Sequence, residues 1–335
     1  MSGDITVGTS NGYASGVMAV NNSSAVLVGA GTMDVYSGAG GNALGVVSVM
    51  GSSVSAEIVS MDVEAAGGNA FGVYAVSGAV SGDIGSMTVR GTGESVGVLS
   101  ASSDVDLLMD GDMTVTSTGT GEAIGIVAEI GGEARITGLG SLSVTAAVGK
   151  AAGVEAETFS LTDVSMTGTI DVYTASGDAS GILAEDNSGT TVRMDADKSN
   201  NDIFVHSASN GNAYGMAASG DSEIVFENVR NLVVSADAGD AYGLFANDPS
   251  TISGDVESIT VTASGDAYGV YAYSESTIDA AMSGDITVTS TGTGVARGID
   301  SEISSDITIT GLNDLIVSAA DGYAAGVLVH DSSNA

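Results

Sequence analysis

The chain has 335 residues, 43% of them hydrophobic, with 49 Gly, one Pro and no Cys or Trp; it is too apolar and too regular for the disordered class. Without thiols, neither a disulfide framework nor a thiolate metal site is open to it. Its 42 acidic against 7 basic residues leave a net charge of -35, which repels phosphate backbones and anionic bilayers, so nucleic acid is not expected as a partner.

The first predicted element is a short strand, Ile5-Thr6-Val7, and the sequence then repeats it. The aligned valines are Val7, Val35, Val63, Val89, Val115, Val144, Val172, Val205, Val234, Val261, Val288 and Val317, each with Ile, Leu or Met two residues earlier. An apolar pair two apart fixes one face of a β-strand. The twelve copies, about 28 residues apart as Val7, Val35 and Val63 are, predict a repeat architecture.

Next in each copy comes Gly-x-Ala-x-Gly, as at Gly265 to Gly269, with Ser95 replacing the Ala once. The second glycines, among them Gly45, Gly72, Gly215, Gly243 and Gly269, are expected to make corners, because Gly alone reaches positive φ without steric cost and lets neighbouring backbones approach closely. A nucleotide-binding glycine loop would need one copy ahead of a helix; here there are twelve, each followed by a strand. That second strand opens with Val, Ile, Leu or Met, and a third, more variable apolar patch follows, as at Val26 with Val28 or Ile224 with Phe226. No segment carries a 3.6-residue apolar period.

Three short strands per copy cannot close on themselves, but stacking them buries ladders of like residues and runs the backbone hydrogen bonds between coils. The predicted fold is all-β: a single-stranded parallel β-helix, or β-solenoid, of twelve coils with three short strands each, right-handed by the rule for parallel crossovers. One continuous solenoid is expected over 1–335, uncapped at both ends, where open parallel edges would invite end-to-end self-association. The glycine interval grows to 34 residues between Gly181 and Gly215 while the others stay between 25 and 29, which predicts an enlarged coil at 185–202. It holds Asp186, Arg193, Asp195, Asp197 and Lys198.

β-Helix lyases and glycosidases pair carboxylates with Arg or Lys on one outer face, but the cations here are scattered, so no enzyme and no catalytic residue is expected. His206 and His330, four coils apart, are expected to be exposed strand residues. Asn, Asp or Glu follows the first motif glycine in eight copies, including Asp178, Asp240 and Asp266. Local bonding to the backbone is the expected role, with calcium held between stacked carboxylates as the alternative; no other cofactor is indicated. Thr114 with Thr116, Thr260 with Thr262 and Thr287 with Thr289 resemble an ice-binding array, but other copies break it.

A better surface is the outward side of strand two. Tyr74, Phe245 and Tyr271 occupy the position between its apolar residues, and Tyr214, Tyr242 and Tyr268 precede the second glycine in successive coils. Together they predict a contact face for a protein or glycan partner, the alternative being that the corner kink turns part of this row inward.

The copies Gly265-Asp266-Ala267-Tyr268-Gly269-Val270-Tyr271-Ala272 and Gly284-Asp285-Ile286-Thr287-Val288-Thr289 resemble the passenger repeats of bacterial autotransporters and filamentous adhesins. The resemblance spans the chain and implies a secreted or cell-surface adhesive stalk, met by a host or neighbouring-cell surface protein or glycan. In that family the anchor is a C-terminal barrel, which this chain does not contain, and no membrane insertion by the chain itself is expected. A self-assembling filament or surface coat is the other structural reading.

Overall fold

In a computed structural model, which describes residues 3–197 and 199–335, the chain is a parallel β-solenoid of thirty strands with no helix. It divides into two compact units, Met1–Thr167 and Gly168–Ala335, each holding six of the twelve coils.

In the first unit the aligned valines pair in register, Val7 with Val35, Val35 with Val63, Val63 with Val89, Val89 with Val115 and Val115 with Val144. The second unit repeats this from Val172 through Val205, Val234, Val261 and Val288 to Val317. Every pairing is parallel and joins like to like, as period-2 patterning under a constant repeat requires. In several coils the third strand runs on into the next first strand, giving Ser53–Ala65 or Glu223–Ala236 as one strand. The gain is hydrogen-bonding length without a loop.

The interior is a set of one-residue ladders. Met33, Met61, Met87 and Met113 stack beside the valines, all at most 2% exposed, and each such side chain contributes about 1.5–3 kcal/mol by leaving water. The motif alanines, from Ala43 to Ala296, lie on the other wall at 0% exposure, with Ser95 among them.

The second motif glycine is a correction. Gly16, Gly45, Gly72, Gly215, Gly243 and Gly269 are not left-handed corners; they lie inside strand two, as in Ala14–Val20. Their reason is close approach. A Cβ on Gly16 would sit 2.5 Å from Met33 Sδ, 2.7 Å from the Gly45 carbonyl oxygen and 3.1 Å from Val35 Cγ2. The glycine thus leaves room for the apolar pair of the next coil, and the two sequence signatures are two halves of one packing contact.

Positive φ is spent elsewhere, at the corner after strand two. Asn21 and Asn22, Met50 and Gly51, Thr158 and Phe159, Asp186 and Asn187, and Ser274 and Glu275 all have φ between 52° and 74°. The corner closes on Ser at 23, 52, 103, 160, 188, 222, 250, 276, 305 and 333. In the second unit the backbone N–H of Ser222 donates to Ser250 Oγ, Ser250 to Ser276 and Ser276 to Ser305, each at 3.1 Å. Each hydroxyl satisfies a buried donor that the tight corner would otherwise leave orphaned.

The enlarged coil is present, and its extra residues fall between the strands Gly189–Met194 and Asp202–Ser207. Asn201, fully buried, bonds the carbonyls of Asp195 and Asn228. Arg230 clamps Asp202 through two nitrogens, and Asn231 adds a bond at 2.8 Å.

Candidate functional site

The outer side of strand two holds the features that could carry chemistry. Around the mid-strand glycine the register of side chains shifts, so that the outward residues one before and two after it lean together. Phe71 meets Tyr74 with ring centroids 5.1 Å apart, Tyr242 meets Phe245 at 5.1 Å and Tyr268 meets Tyr271 at 4.9 Å.

In the first unit this produces a hydrophobic cluster of its own: Phe71, Val96, Leu99, Ile124, Val127 and Ala152, with Leu44 and Tyr74 packed against it. Beside it runs an open trough of about 550 Å³, floored by Leu44, Phe71, Tyr74 and Leu99 and rimmed by Asn42, Asn69, Glu94 and Glu129. Burial and then the neighbours Glu122 and Glu129 push the Glu94 carboxyl above its ordinary range; burial and then Glu157 do the same for Glu129. A cation entering the trough would relieve that repulsion.

In the second unit the face is aromatic. Tyr214, Tyr242 and Tyr268 stack along the coils at 5.1 and 5.0 Å with rings within 6° of parallel, and Phe245 and Tyr271 stack beside them at 5.5 Å. Burial raises all four tyrosine hydroxyls, that of Tyr268 to about 12. They are therefore neutral donors at any ordinary pH. Tyr268 is buried at 8% exposure while Tyr214, Tyr242, Phe245 and Tyr271 are half-buried. Each ring covers its neighbour's face, leaving edges and hydroxyls to meet a partner.

The carboxylates after the first motif glycine form a backbone ladder. Asp178 Oδ1 accepts the Asn212 N–H at 2.8 Å, Asn212 Oδ1 that of Asp240 at 3.0 Å, Asp240 Oδ1 that of Asp266 at 2.7 Å, and Asp266 Oδ1 that of Val295 at 2.8 Å. The local-bonding role is thus filled at each of these positions. In the enlarged coil, Asp197 Oδ1 accepts from the N–H and Oγ of Ser199, the backbone bond first among the causes that hold its carboxyl below the usual range. Asp195 Oδ1 accepts the Asp197 N–H at 3.4 Å. These two acids shape a turn. Arg193 faces Glu227 at 3.6 Å, and Lys198 lies outside the described residues.

Two clusters of buried charge had no sequence forecast. In the first unit Glu155 is fully buried; its Oε1 pairs with Lys150, which also lies 3.7 Å from Glu157, while Oε2 is buried with no hydrogen-bond partner among the described residues. Burial pushes the Glu155 carboxyl up to about 8 against the pull of Lys150. The native state therefore keeps a proton that the unfolded chain releases near its ordinary value of 4.5. That stabilisation is complete below about 4.5 and is lost as pH rises through about 8. Urea midpoints should rise on acidification from about pH 8 to 5, and Glu155→Gln should flatten that rise; an unchanged slope in the variant would assign the effect to general charge repulsion.

In the second unit Arg297 pairs with Asp300 and, at 3.0 Å, with Glu302, and its guanidinium lies 5.5 Å from the Tyr268 ring centroid. His330, in the following coil, is 3.8 Å from Asp300 and 3.5 Å from Glu302. It is therefore more than an exposed strand residue. His206 stacks on Tyr173 at 5.4 Å and bonds Ser235 Oγ at 2.6 Å. Reading the repeat in columns would have signalled the Asp300 cluster, because Glu302 and His330 are one repeat apart.

Compared with known proteins, the chain matches no family model, no curated protein and no solved structure.

Proposed function

We propose that the chain is a non-enzymatic, adhesive scaffold of the exported-passenger kind, displayed outside a bacterial cell, which offers the outer side of strand two to a partner protein. The observation that carries this reading is the open trough beside Phe71 and Tyr74, an apolar floor on the outside of a solenoid whose interior is already filled. Leu44 and Tyr74 are only half-buried on that floor, and its rim of half-buried Glu94 and Glu129 suits an apolar segment bearing Lys or Arg. A protein partner is favoured over a glycan by the second unit, where Tyr214, Tyr242 and Tyr268 cover one another's faces. A sugar needs an open ring face to stack on.

Beads coated with the full chain should adhere to cultured cells, and Tyr74→Glu should lower adhesion at least tenfold. Adhesion should survive enzymatic removal of surface glycans. Equal adhesion of parent and variant, or its loss on deglycosylation, would overturn this reading.

A further inference from the structure

The Asp300 cluster belongs to neither the ladders nor the trough, and it contains a group that the protein alone does not satisfy. Asp300 is fully buried. Its Oδ2 is taken by Arg297, yet Oδ1 is buried with no hydrogen-bond partner among the described residues. A carboxylate oxygen withdrawn from water and left unpaired is expensive, and a bound ion is one of the ways native structures offset that cost. His330 Nε2 lies 3.8 Å from Oδ1 and 3.5 Å from Glu302 Oε1. All three lie within 4.8 Å of one another.

We propose that Asp300, Glu302 and His330 bind a divalent transition-metal ion of the zinc class. Metal–ligand bonds of about 2.0–2.2 Å in a tetrahedron set donors roughly 3.3–3.5 Å apart, and the exposed His330 Nε2 already stands 3.5 Å from Glu302 and 3.8 Å from Asp300. One imidazole with two carboxylates selects zinc-like ions over calcium, which takes six to eight oxygens. Arg297 bonds both carboxylates, orienting them as outer-shell partners do. It also offsets one of their two charges, leaving the cluster a net negative charge for the cation to neutralise. The site ties two consecutive coils, since His330 comes from the strand Ala324–Val329 plus one residue while Asp300 lies in Ala296–Ser301.

The test is calorimetric titration of the full chain with zinc chloride after chelator treatment. One site per chain should appear, with binding reduced at least tenfold in both His330→Ala and Glu302→Gln; His330 is exposed and Gln keeps the shape of Glu302, so circular dichroism should match the parent. Cobalt(II) should give visible absorption that His330→Ala abolishes. Parent-like zinc affinity in both variants, or zinc binding that excess calcium displaces, would mean ions spread over an acidic surface and would overturn the assignment.

Discussion

Replacing Arg297 by Met should destabilise the second unit by about 3–5 kcal/mol, the range found when one partner of a buried ion pair is removed. The side chain is 21% exposed and Asp300 not at all, so the variant leaves a carboxylate without water and without its counter-charge. Burial already pushes the Asp300 carboxyl above its ordinary value despite Arg297; without the guanidinium it rises further. The penalty should therefore shrink as pH falls and Asp300 takes a proton. Hydrogen exchange on the coils around Ala296–Ser301, with chelator present, would read the effect. Arg297→Met combined with Asp300→Asn should recover most of the loss, and a double variant as unstable as the single one would show that the packing of Arg297 over Tyr268 matters more than its charge.

Gly215→Val should be at least as damaging. A Cβ there would stand 2.5 Å from the Gly243 carbonyl oxygen and 2.9 Å from both Leu232 Cδ1 and Val234 Cγ2. The first is backbone held in a parallel ladder and cannot step aside. Overpacking alone costs about 1–3 kcal/mol, and a forced break in the ladder adds to it, so a total of about 3 kcal/mol or more is expected. Gly8→Val makes the comparison fair. Its nearest neighbour would be the Tyr36 carbonyl oxygen at 3.9 Å, and a β-branched residue suits an exposed strand. Urea unfolding should find Gly8→Val close to the parent; equal losses in both variants would refute close approach as the reason for the motif glycine.

The coil was legible because its defining residues act in pairs that sequence preserves. Val7, Val35 and their successors had to stack on their own kind, and the Ile, Leu or Met two residues earlier fixed which face was buried. The reason for glycine was harder to read, since positive φ and steric exclusion favour the same residue. The true left-handed corners escaped notice because Met50, Ile130, Phe159 and Ile303 occupy them, none of which advertises such a conformation. The Ser that closes the corner was the available signal. Alternation puts Phe245 and Tyr271 on the outer face, but how far Tyr242 and Tyr268, each one residue before a motif glycine, cover each other depends on the shift of phase at Gly243 and Gly269, which no pattern of apolar residues reports. Asp300 was passed over because its partners are drawn from two coils.

The inter-coil ladders have a mechanical consequence. Within each unit the backbone bonds, the Asp178-to-Asp266 chain and the Ser corners all run in the direction in which coils succeed one another. Tension applied at the two ends of a unit therefore loads these bonds in series, not in shear. Yielding should proceed one coil at a time from an end, each releasing about 28 residues, or on the order of 95 Å of extended chain. Such a tether lengthens in steps under load while the coils behind the break keep their shape.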